Sequence, residues 1–103
     1  MRRYRITILP EASADLTQVF HYIEQHSPQN AAVVARKLVD AIDSLEQFPH
    51  RCKVHASRKN PDRIVHSMSV RPFIIYYRVI ERNRAVEVMT IRHGARRQPR
   101  RFH

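Results

Sequence analysis

The chain has 103 residues, 43% of them hydrophobic, with one cysteine, no tryptophan and a net charge of +10. That length supports a single domain burying roughly 60–70% of its unfolded surface, and the apolar share excludes a disordered polyelectrolyte. Cys52 as the sole cysteine excludes an internal disulfide, and no apolar run is long enough for a membrane helix. The residues after Met1-Arg2-Arg3 are interrupted by Pro10, Glu11 and Asp15, so no export signal forms and a cytoplasmic location is expected. The charge is strongly uneven. Residues 49–103 carry 14 Lys/Arg against three Asp/Glu, whereas residues 1–48 carry five against six. A near-neutral half joined to a strongly cationic half points to a polyanionic partner, either nucleic acid or an acidic protein.

The first element is a strand over Arg3–Leu9, where Tyr4, Ile6 and Ile8 alternate with Arg5 and Thr7. Pro10 ends it and suits the first turn of a helix, with Glu11 and Asp15 near the positive end of the helix dipole. Ala12, Leu16, Val19, Phe20 and Ile23 then form one apolar helical stripe. Ser27-Pro28 reads as cap and first turn of a second helix, whose inward residues are Ala31, Val34, Leu38, Ala41, Ile42 and Leu45, ending at Phe48-Pro49. The short joint predicts an antiparallel helical hairpin.

From His50 to Asp62 the apolar period is lost and a basic loop is expected. Three strands follow. Ile64, His66, Met68 and Val70 alternate with Arg63, Val65, Ser67 and Ser69; Phe73–Ile80 is apolar on both faces except at Arg78; Val86, Val88, Thr90 and Arg92 alternate with Glu87, Met89, Ile91 and His93. The short joints at Arg71-Pro72 and Glu81–Arg84 predict an antiparallel meander. The fold class is therefore α+β, in the order β-α-α-β-β-β, with a helical hairpin on one face of a mainly antiparallel four-stranded sheet. The domain is expected to cover residues 1–95, followed by a basic tail over 96–103.

Leu9-Pro10-Glu11-Ala12 with Asp15-Leu16, Tyr22-Ile23, Leu45 with Phe48-Pro49, Arg71-Pro72-Phe73 through Val79, and Ile91-Arg92-His93-Gly94-Ala95-Arg96 occur here in one order across nearly the whole chain. In that order and spacing the sequence resembles the RelE/ParE superfamily of toxins from type II toxin–antitoxin modules. The resemblance implies a small toxin held inactive by a cognate acidic antitoxin. The closing His93-Gly94-Ala95-Arg96 looks like the ParE branch, associated with poisoning DNA gyrase, and so implies binding rather than catalysis. The RelE branch, which cleaves messenger RNA in the ribosome, relies on sheet-face Arg/Lys residues and a closing Tyr or His. Here the closing tyrosine is absent, and where relatives often place an arginine before the Pro-Phe turn the nearest residues are Arg63 and His66.

Arg63, Arg71, Arg78, Arg92, Arg96 and Arg97 are the candidate target- or antitoxin-binding residues, because planar guanidinium groups make bidentate contacts to phosphate or carboxylate. Asp62, Glu81 and Glu87 are too few to pair them all. If the chain were a ribonuclease, Arg71, Tyr76, Arg78 and His93 would be its site, with His66 as a further acid or base; that chemistry needs a proton acceptor, a proton donor and cations on the phosphorane. Tyr77, sharing a face with Phe73, Ile75 and Val79, reads as core. His50, Cys52 and His55 are three potential metal ligands in one loop; no fourth lies at a zinc spacing, with His66 the one residue that could in principle complete the set, so no metal is expected, and no cofactor. Gly94, the only glycine, is expected at a positive φ or a close backbone approach. The remaining alternative is a basic nucleic-acid-binding module without toxicity, whose binding would weaken steeply with salt.

Overall fold

The computed structural model describes residues 3–50, 53–55 and 64–94. Strand β1 is Arg5–Ile8, helix α1 Pro10–His26 and helix α2 Ala31–Ser44; strands β2 to β5 are Lys53–His55, Val65–Val70, Phe73–Ile80 and Ala85–His93. They form one sheet in the order β1-β5-β4-β3-β2. Neighbours pair antiparallel except β1, which lies parallel to β5 from Arg5↔Ala85 to Ile8↔Val88. A parallel pair needs a long crossover, and here the helical hairpin together with β2–β4 supplies it. The α+β architecture is the expected one.

Both predicted helical stripes meet the sheet. Ala12, Val19 and Ile23 of α1 and Leu38 and Ile42 of α2 are buried against Phe73, Ile75, Tyr77 and Val79 of β4 and Val86, Val88 and Ile91 of β5. Leu16, Phe20, Ala31, Val34 and Ala41 pack at the margin of this core. At about 25 cal/mol per Å² of apolar surface removed from water, such contacts supply most of the folding force. Tyr77 is fully buried, stacks on His66 at 5.2 Å, and donates its hydroxyl to the Pro49 carbonyl at 2.6 Å. A smaller cluster of Val65, Tyr76 and Met89 is buried on the other face of the sheet.

Four local expectations are corrected. Residues Pro28–Asn30 form a single 3₁₀ turn before α2, and Ser27 caps no amide with its side chain; its hydroxyl oxygen accepts from Asn30 Nδ2 at 2.9 Å. Residues 53–55, expected in a loop, extend the sheet by a short edge strand through Val54↔His66. The strict alternation expected along β5 is broken by a bulge: Tyr77 pairs with Val88 and Tyr76 with Thr90, which leaves Met89 as the extra residue. One inserted residue exchanges the two faces beyond it, so Ile91 joins Val86 and Val88 on the helix side. Gly94 has no positive φ; it meets the other expectation, since its amide donates to Pro72 O at 2.6 Å and an added Cβ would lie 3.0 Å from that oxygen.

Candidate binding surfaces

The bulge decides which side chains share a face. Arg78 and Glu87 are directly opposed on β4 and β5, and Arg78 Nε donates to Glu87 Oε1 at 2.6 Å. Both side chains are only about a quarter exposed, at 28% and 26%. Arg78 is therefore internally paired. Arg92 is more open, at 44% exposed, and meets Glu11 at 4.0 Å. Arg71 stands exposed in the turn between β3 and β4. Arg63, Arg96 and Arg97, together with the rest of the basic tail, lie outside the described residues.

The residues named for a ribonuclease do not converge. Tyr76 is fully buried beside Val65 and Met89, and burial raises its hydroxyl pKa above the ordinary value, an effect partly offset by Arg92. His93 sits across the sheet, its ring 5.6 Å from Phe73 and 5.8 Å from Tyr22 of α1. His66 is 4% exposed and lies flat against Tyr77. The described part of the sheet thus brings Arg78 and Tyr76 to one side and His93 and His66 to the other. Among the described residues no group of three His, Cys, Asp or Glu side chains could hold a metal ion, and Cys52 falls outside them.

Two features were not singled out from sequence. Beyond Ile8, β1 no longer flanks β5, and Asp15 of α1 takes over that edge: its Oδ2 accepts from Thr90 Oγ1 at 2.6 Å and from the Ile91 amide at 3.0 Å. A cavity of about 110 Å³ opens there, lined by Asp15, Gln18, Val19 and Tyr22 of α1 and by Phe73, Ile91, Arg92 and His93. A second, of about 310 Å³, adjoins Tyr22 and Phe73 and runs along the hairpin past Val33 and Lys37. The sequence signal was the i, i+3, i+7 spacing of Asp15, Gln18 and Tyr22, which borders the apolar stripe at Val19.

At the opposite end of the sheet, Tyr4 donates to both oxygens of Glu81 at 2.6 and 3.0 Å, and the His50 ring meets Glu81 Oε1 at 2.6 Å. The Tyr4 hydrogen bond, then that of His50, holds the Glu81 carboxyl below the usual range, and the same bond raises the Tyr4 phenol. Arg84, at φ 49°, lays its guanidinium over the Tyr4 ring at 4.4 Å. This network ties β1, the end of the hairpin and the β4–β5 turn together.

The family profile described as the ParE toxin of the type II toxin–antitoxin system parDE matches residues 6–98. Toxin RelE2 of Caulobacter vibrioides is 38% identical over 85 residues, 82% of this chain and 89% of that protein. Among solved structures, a chain of the chromosomal ParDE system of P. aeruginosa shares the fold with a TM-score of 0.65 at 20% identity, over 87% of this chain and 95% of that one. A chain of the RelBE2 toxin–antitoxin complex of Mycobacterium tuberculosis does so with a TM-score of 0.63 at 20% identity, over 93% and 97%. Among the described residues no helix is long and apolar enough to cross a membrane.

Proposed function

Because this chain belongs to the ParE toxin family of type II toxin–antitoxin systems, we propose that it acts in the cytoplasm by binding DNA gyrase and trapping it on cleaved DNA, without acid–base chemistry of its own. The observation that carries this reading is the dispersal of the proton-transfer candidates. Tyr76 is buried on one side of the sheet, while His66 and His93, on the other, stand opposite Tyr77 and Phe73, four residues apart along β4. A phosphodiester cleavage needs donor and acceptor within hydrogen-bond reach of one phosphate. A binding toxin needs neither, only a surface. The same proposal assigns an acidic antitoxin chain as the inhibitor, drawn by the net charge of +10 and contacting Arg71 and Arg92.

A second reading, ribosome-dependent messenger RNA cleavage, is favoured by one observation: a relative named RelE2 at 38% identity. Expressing the chain in cells, alone and with a cognate acidic antitoxin protein, separates the two. The gyrase reading expects growth arrest with protein-linked DNA breaks, intact messages, and rescue by the acidic protein. Codon-positioned message cleavage without DNA breaks would move the target to the ribosome.

A further inference from the structure

Three aromatic rings stand around the smaller cavity at the end of β5. The rings of Tyr22 and Phe73 meet that of His93 nearly edge-on, at interplanar angles of 72° and 85°. His26 lies against Tyr22, with ring centroids 4.3 Å apart. Asp15 lines the same space, and while its Oδ2 is committed to Thr90 and Ile91, its Oδ1 makes no hydrogen bond among the described residues. Ring faces set at steep angles beside a carboxylate form an environment for a cation: the π quadrupole attracts positive charge, and the carboxylate supplies the counter-charge and an acceptor.

Arg92 also lines the cavity, but its guanidinium reaches toward Glu11, which lies one helical turn before Asp15. Two carboxylates of α1 therefore face one arginine, in a chain that elsewhere carries a large positive excess. We propose that this cleft receives the guanidinium of an arginine presented by the acidic antitoxin chain. Guanidinium suits it better than ammonium because it is planar, stacks on aromatic faces and sheds water more readily. A uniformly basic surface attracts an acidic chain without fixing its register. A single pocket of opposite preference pins one alignment and rejects the shifted ones. The antitoxin reading enters only through the owner of the arginine; the chemistry of the pocket is independent of it.

The test uses the folded protein. Methylguanidinium is titrated while the ring signals of Tyr22 and His93 are followed by NMR, with methylurea as the uncharged analogue of similar shape. Saturable shifts are expected with methylguanidinium and not with methylurea. Tyr22→Leu, at a residue that is 42% exposed and outside the buried core, should weaken the response about two- to fivefold, the factor one exposed cation–π contact contributes. Asp15→Asn should weaken it as well. Equal response to methylurea, a response unchanged in Tyr22→Leu, or no response from the unmodified protein overturns the proposal. In the complex with the antitoxin, Tyr22→Leu should lower affinity by a similar factor, and undiminished affinity would remove the arginine from that partner. Failure of the antitoxin to bind at all would instead count against the antitoxin reading, leaving the titration to decide the pocket.

Discussion

Replacing Asp15 by alanine should destabilise the fold more than its position on a partly open helix suggests. The carboxylate accepts two hydrogen bonds across the α1–β5 junction, one from the hydroxyl of Thr90, a residue only 4% exposed, and one from the Ile91 amide. Bonds to a charged acceptor contribute about 1.5–3 kcal/mol each, and deleting one partner leaves the other group unsatisfied. Water entering the adjoining cavity offsets part of that loss, which leaves an expected cost of about 2–3 kcal/mol. For a domain of this size each kcal/mol moves the melting temperature by about 4–8 °C, so Asp15→Ala should melt at least about 8 °C lower. Thr90→Val, which removes one of the two donors, should cost about 1 kcal/mol. The two changes should couple, since they delete the same contact, and the Ile91 amide should exchange faster in Asp15→Ala. A melting shift below about 2 °C, or single effects that add to within about 0.5 kcal/mol, would refute the assignment of Asp15 as the clasp of the free edge.

Glu81 makes stability respond to acid. Its folded pKa is depressed below the ordinary 4.5, so its contribution is present above that value and lost as pH falls through the folded pKa. The difference in melting temperature between the parent protein and Glu81→Gln should shrink below about pH 4.5; a difference that stays constant there contradicts the network. Tyr4 is the mirror case: its raised pKa contributes below 10.0 and fades as pH rises through the folded value. Charge reversal at Arg71 and Arg92 together should weaken antitoxin binding about tenfold or more and flatten its salt dependence, whereas Arg78→Gln, at the Glu87 pair, should mainly cost about 1 kcal/mol of stability. Calorimetry at two salt concentrations checks both, and equal affinity losses at the two sites would contradict the distinction. Gly94→Ala should cost about 1 kcal/mol by crowding Pro72 O, measurable in a urea titration, because its Cβ would lie 3.0 Å from that backbone oxygen; an unchanged midpoint would show that the turn yields freely.

Period carried most of the architecture. The stripes of Leu16, Val19 and Ile23 and of Leu38 and Ile42 are spaced for one buried face, and the apolar run at Phe73–Ile80 for a central strand, so the layers were legible without coordinates. What escaped was local or relational. Residues 53–55 are too few to show a two-residue period and become a strand only by borrowing β3 as a partner. The bulge at Met89 leaves no mark in composition, yet it reverses the face of everything after it, and it is why His93 turns toward α1. Among the candidate arginines, only register shows that Arg78 already has Glu87 opposite, nine residues along the chain. The roles of Asp15 and Tyr22 depend on where β1 stops relative to β5, a fact of tertiary structure that helix spacing alone does not contain.

Toxicity, as proposed, comes from holding gyrase on broken DNA and not from a nuclease site. Supercoiling by purified gyrase, with this protein added free of antitoxin and cleaved DNA scored in the same reaction, tests it directly. Blocked supercoiling is expected, with cleavage complexes that accumulate as the protein approaches amounts equimolar with gyrase. Full gyrase activity in the presence of demonstrably folded protein would contradict it.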